Sequence, residues 1–198
     1  MSRNFQDECR KLSDEYRERF GENIDNPENL NAFVGAVVSL APSARLQLSG
    51  SLLINSGFNA FHDRTCSLSL EEGSKMSVAE GTSQLFFDGD FRVLPGAEFS
   101  LGSGTYFNCG ANVICHKKIS IGADCAIAHR VTMEDGANEI VIGDHVWICN
   151  NAVIREGVHI GEHSIIAAGA EVTQDIPPHS MAAGRPAKVI RSGIDWNK

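Results

Sequence analysis

No two cysteines in this sequence are spaced as CxxC, although six are present: Cys9, Cys66, Cys109, Cys115, Cys125 and Cys149. Their spacing matches no metal-ligand pattern either, so neither a disulfide framework nor a zinc site is expected. Free thiols in a reducing, cytoplasmic compartment are the simpler expectation. Positive charge is also scarce. Seventeen Lys and Arg face 25 Asp and Glu, a formal net charge of -8. That balance argues against a general nucleic-acid or membrane-surface binder. The longest apolar run, residues 32–40, is too short to span a bilayer. Residues 1–8 are polar and lead into a charged stretch, so no secretory leader is expected.

What the sequence does have is a period of six. From Ile121 an aliphatic residue returns in the phrases IGADCA, IAHRVT, MEDGAN, IGDHVW, ICNNAV, IREGVH, IGEHSI, IAAGAE and VTQDIP. One break occurs, at Glu139, Ile140 and Val141. Neither a 3.6-residue helix nor a two-residue strand alternation produces such a spacing. It predicts a triangular solenoid, each hexapeptide giving a short strand and a corner, with three closing a coil of about 18 residues. The leading residues, Ile121, Ile127, Met133, Ile142, Ile148, Ile154, Ile160, Ile166 and Val172, are the expected core. Gly122, Gly143 and Gly161 follow them where a side chain would crowd the turn or the backbone needs φ > 0.

Upstream the period loosens. Leu101, Phe107 and Val113 keep the spacing, then a two-residue insertion in CHKKIS shifts the phase. From Ala44 to Phe99 apolar and polar residues alternate between Gly, Ser and Asn turns, which reads as further coils with irregular corners. Asn4 to Phe20 is charged, with Phe5, Leu12, Tyr16 and Phe20 near helical spacing, and predicts a short amphipathic helix stopped by Gly21. Residues 29–40 fit either a second helix or a first strand. The expected organisation is a helical or irregular segment (1–43), irregular coils (44–120) and regular repeats (121–198).

The segment from Asn108 to Arg191 resembles the hexapeptide-repeat sugar O-acetyltransferases. IGDHVWICNNAVIREGVHIGEHSIIAAGAEVTQDIPPHSMAAGRPAKVIR carries the resemblance, its ending above all. The resemblance implies an all-β fold, a left-handed parallel β-helix preceded by the short helix. It also implies a homotrimer, with acetyl-CoA in the cleft between neighbouring helices and a sugar or surface-polysaccharide precursor as acceptor.

Register places part of that site independently. His129, Asn150 and Ala168 are third positions of hexapeptides one coil apart, so they should line one edge. In the resembled family the positions of Asn150 and Ala168 contact the pantetheine arm, and Thr173 matches another contact. Lys188 and Arg191 match basic positions near the CoA phosphates, where cations make charge-assisted hydrogen bonds. Gln174 departs from the lysine often found there. Trp147 matches a common tryptophan, with a buried packing role the alternative.

The family's chemistry needs a histidine base, but TMEDGANEI puts Asn138 at its expected place, and asparagine cannot take a proton. Three outcomes are open. His129 substitutes for it; another histidine, such as His116 or His145, does so; or the site binds a sugar or CoA without turnover. Asn108 is a candidate for the acceptor hydroxyl or thioester oxygen, and otherwise a residue filling an αL corner. Asp135 and Glu134 are candidates for orienting a base, and otherwise solvated corner residues. A zinc enzyme on the same solenoid would need three convergent histidines. His145 and His163 stack as fourth positions one coil apart, which supplies only two.

Overall fold

The computed structural model describes residues 3–56 and 64–197. The chain winds as a parallel β-solenoid with three sheets as faces. Sheet 1 runs through seven strands, from Ile24–Asp25 to His159–Ile160. Sheet 2 has nine, from Leu30–Ala32 to Ala187–Ser192, and sheet 3 has seven, from Ala36–Leu40 to Glu171–Val172. Every pairing between coils is parallel; only the final hairpin, Ser180–Gly184 with Ala187–Ser192, is antiparallel. No helix among the described residues is long and apolar enough to cross a membrane.

The nine leading aliphatics are all buried, each against its counterparts above and below. Burying one such side chain stabilises by roughly 1.5–3 kcal/mol, which offsets the low propensity of two-residue strands. Ile148 lies opposite Ile127 and Ile166, separations of 21 and 18 residues, while Phe107 and Ile127 are 20 apart. The extra residues sit at one corner, between sheets 3 and 1, within His116–Lys117 and Asp135–Glu139. The coil is therefore 18 residues with local loops, as the period requires.

Of the two reasons for Gly122, Gly143 and Gly161, crowding is the operative one, since none of them has positive φ. A Cβ on Gly143 would lie 2.7 Å from the amide nitrogen of Glu162, and one on Gly161 would overlap the backbone of Pro178. Gly161→Ala is expected to cost about 1–3 kcal/mol, because rigid backbone must move. Thermal unfolding checks this, and an unchanged transition would mean that the corner relaxes freely. The left-handed backbone falls instead on fourth positions. Asp124, His145, His163 and His179 have φ of 57°, 53°, 57° and 53° at the corner between sheets 1 and 2. Arg130 and Asn151, at 55° and 59°, do the same between sheets 2 and 3.

An open solenoid end exposes unpaired strand edges and apolar stacks. Helix Arg3–Phe20 covers the first coil with Phe5, Tyr16 and Phe20. Its Ser13 hydroxyl donates to the Ala32 carbonyl at 3.1 Å and Tyr16 to Ala36 at 2.9 Å. Residues 29–40 resolve as strands, Leu30–Ala32 and Ala36–Leu40, so the coils begin at Ile24, upstream of a 43/44 boundary. Within the irregular coils, residues 57–63 lie outside the described residues. All six cysteines are free.

Candidate functional site

The outward face of sheet 2 carries a groove of 410 Å³. Its floor is one register row, Tyr106, Ala126 and Trp147, in which small Ala126 leaves room between two aromatic rings. One wall comes from the corner between sheets 2 and 3: Asn108, Ala128, His129 and Asn150. The other is Trp196 and Asn197, from a segment that returns across the corner between sheets 1 and 2. Trp147 is 40% exposed, so the buried-packing alternative does not hold.

Register brings the expected edge into being. His129 and Asn150 each lie two residues past the paired Ile127 and Ile148, and Ala168 two past Ile166, so the three form one line. The Asn150 side-chain oxygen accepts the backbone N–H of His129 at 3.0 Å, which fixes the carboxamide's orientation. Among the described residues nothing hydrogen-bonds the exposed His129 ring, and it lines the groove with Asn108 and Asn150. Asn108 does not have the left-handed backbone suggested as its alternative role; Gly110, two residues on, does. Burial pushes the thiols of neighbouring Cys109 and Cys149 up, so this corner offers no thiolate.

Other expected site residues lie elsewhere. Lys188 and Arg191 are exposed on the last strand of sheet 2, opposite Ala183 and Met181. Thr173 is exposed at the corner between sheets 3 and 1. Asp135 lies at that corner too, and it is buried, not solvated. Its carboxylate accepts three consecutive backbone N–H groups, from His116, Lys117 (3.0 Å) and Lys118 (2.6 Å). That is an anion nest closed by the chain's own carboxylate. Glu134 pairs with His116 at 3.2 Å. Asn138 opens on a second groove, of 740 Å³, with Lys117, Lys118, Glu139, Glu156 and His159. Sequence reasoning missed His159 there; the signal was its strand, which pairs with the one after Asn138.

It also missed how far the histidine stack extends. His145 and His163 lie 5.0 Å apart between ring centroids, and His163 stacks on His179 at 4.8 Å. His179 follows DIPP, outside the strict repeat, but occupies the same corner. The segment Ile194–Trp196 binds this ladder rung by rung. His179 accepts the Ile194 N–H through its carbonyl at 2.9 Å, and the His163 ring meets Asp195 at 3.0 Å. Trp196 gives its indole N–H to the His145 carbonyl at 2.8 Å and stacks on the His145 ring at 4.1 Å. The His145, His163 and Asp195 side-chain atoms lie within 4.8 Å of one another. Both His145 nitrogens already face oxygen acceptors, the Asp124 carboxylate at 2.6 Å and the Trp196 carbonyl at 2.7 Å. While protonated, that ring donates from both nitrogens and has no lone pair for a metal, so in that state the cluster is a hydrogen-bonded latch.

Coils and inward aliphatics together define a β-solenoid built on a six-residue repeat. Residues 139–174 match the family model for the bacterial transferase hexapeptide (six repeats). The chain is 36% identical over 118 residues to galactoside O-acetyltransferase of Escherichia coli (strain K12), covering 52% of this chain and 58% of that protein. It is 44% identical over 79 residues to 2,3,4,5-tetrahydropyridine-2,6-dicarboxylate N-acetyltransferase of Staphylococcus aureus (strain JH9), covering 40% and 33%. The chain thus spans less than two thirds of either relative. Among solved structures it is similar to the polySia specific acetyltransferase NeuO, with TM-score 0.55 and 23% identity over 89% of this chain and 90% of that one. That last likeness is one of fold.

Proposed function

We propose that the protein transfers an acetyl group from acetyl-CoA to a hydroxyl of a sugar or surface-polysaccharide precursor. The observation that carries this reading is the His129 imidazole, without a hydrogen-bond partner among the described residues, which lines one groove with Asn108 and Asn150. The pantetheine arm lies along Asn150 and Ala168, toward Lys188 and Arg191 at the far end of sheet 2. Those exposed cations meet the CoA phosphates, and Thr173 contacts the donor from a neighbouring subunit of a homotrimer. The acceptor enters at the Asn108 end. His129 takes the hydroxyl proton as the oxygen attacks the thioester carbonyl. The Asn108 amide donates to the oxyanion that forms, and the imidazolium returns its proton to the departing CoA thiolate. Free thiols fit a cytoplasmic setting.

A second reading, CoA or sugar binding without turnover, is favoured by Asn138, which fills the family's histidine position. Titration calorimetry with acetyl-CoA tests the donor site: saturable binding below about 1 mM is expected (a free energy beyond about −4 kcal/mol). Absence of binding at that concentration would end the transferase reading and leave only sugar binding from the second. CoA release above hydrolysis with a sugar panel then separates enzyme from binding module.

A further inference from the structure

The groove is chemically two-sided. Trp196, Trp147 and Tyr106 supply aromatic surface, and Asn108, Asn150 and His129 supply amides and an imidazole. A pyranose ring is two-sided in the same way, with an apolar C–H face and a rim of hydroxyls. The aromatic side depends on a segment the catalytic reading does not use. Trp196 is only 9% exposed, and its ring contacts Trp147 at 5.7 Å between centroids. We propose that Trp196, delivered by the strap Ile194–Trp196 and held by the histidine ladder, is the specificity-determining edge of an aromatic wall, shared with the exposed Trp147, on which the ring of a carbohydrate acceptor stacks. The proposal rests on the transferase reading for the acceptor's place, but not for the wall's existence.

Every rung of the latch uses a polar bond, and this makes the wall proton-linked. His145 is a positioning residue. Facing it are the Asp124 carboxylate, the Trp196 carbonyl, Asp195 and His163, with His179 stacked beyond His163. Both nitrogens can donate only in the protonated ring. The Trp196 carbonyl, then Asp124, accordingly raises the pKa of His145, while the hydrogen bond from His163 lowers that of Asp195. A raised histidine stabilises the docked strap fully below its free value of about 6.5 and loses this as pH climbs through the docked value. A lowered carboxylate stabilises docking above its free value of about 3.9 and loses this as pH falls through the docked one. The strap is therefore fully latched between those free values and slackens on the alkaline side of the docked His145 value.

Three readouts test this. In steady-state transfer, Trp196→Ala raises the acceptor KM about tenfold (roughly 1.4 kcal/mol), leaves the acetyl-CoA Kd unchanged, and is largely rescued by Trp196→Phe. His145→Asn, chosen because asparagine tolerates the left-handed backbone there, behaves like Trp196→Ala and loses the alkaline rise in acceptor KM that the wild type shows. In Trp147→Phe protein, the emission of Trp196 changes as pH is raised from below the free histidine value of about 6.5 and the stacked imidazolium loses its proton. It also responds to a panel of free mono- and oligosaccharides. An unchanged acceptor KM in Trp196→Ala, with transfer intact, sinks the wall and keeps the transferase. Saccharide binding at Trp196 without any acetyl transfer sinks the transferase and keeps the wall. A weakened acetyl-CoA Kd in Trp196→Ala assigns the ring to the donor's adenine and overturns the proposal, as does emission unmoved by both pH and saccharide.

Discussion

Replacing His129 with alanine should lower acetyl transfer at least ~10-fold, and toward the ~10² to 10⁴ that a positioned general base contributes. The acetyl-CoA Kd should stay as it was, because the proposed donor contacts run along the edge from Asn150 onward. The reason for so large an effect is elimination. Among the described histidines, His116 is paired to Glu134, His145 is held by Asp124 and Trp196, and His163 and His179 bind the strap. His129 and His159 keep unpartnered rings, and only His129 shares a groove with Asn108 and Asn150. Turnover unchanged in the alanine variant would pass the role to His159 in the groove beside Asn138. A parallel His159→Ala variant reads that outcome directly.

The second large effect is structural. Asp135→Ala leaves three backbone N–H groups at the corner without their acceptor, each costing about 1–3 kcal/mol when poorly solvated. A loss of about 3 kcal/mol or more is expected, which for a chain of this size lowers Tm by about 6 °C or more. Asp135→Asn keeps one acceptor oxygen and should fall between. The pair also settles the suggestion that Asp135 orients a base. Such a role predicts an asparagine variant with normal melting and crippled transfer, whereas the nest predicts lost melting temperature with per-molecule activity retained at low temperature.

The regular coils were legible because each inward position is set by local arithmetic: a residue six from Ile148 is again inward, whatever the neighbours do. The line His129–Asn150–Ala168 followed from the same arithmetic. Where the spacing failed, burial still alternated, but the start of the first coil did not show. Leu30 is a core residue whose strand packs under helix Arg3–Phe20, a contact without periodic trace. The role of Asp135 was hidden for a different reason. An acidic residue at a corner is ordinarily solvated, and only the adjoining CHKKIS insertion turns three amides toward it. The strap was least visible of all. Nothing in IDW announces that Trp196 folds back 51 residues to His145. Relatives similar to this chain are named for a galactoside and for a tetrahydropyridine dicarboxylate, so likeness to them could not have named the acceptor. On the proposed reading that information resides in the groove lining, Trp196 above all, which lies outside the repeats.

The uneven coil lengths have a consequence for how such a site changes over time. From Gly102 to Ala170 both corners flanking the groove keep four residues per turn, and every added residue falls at the third corner. The groove is thus ruled in steps of one strand spacing, about 4.8 Å. Side chains can be exchanged rung by rung without altering the distance between a base and its donor track. Length varies only at the corner that does not line this groove. A molecule laid along that ruler meets a fixed scale whose markings alone are editable.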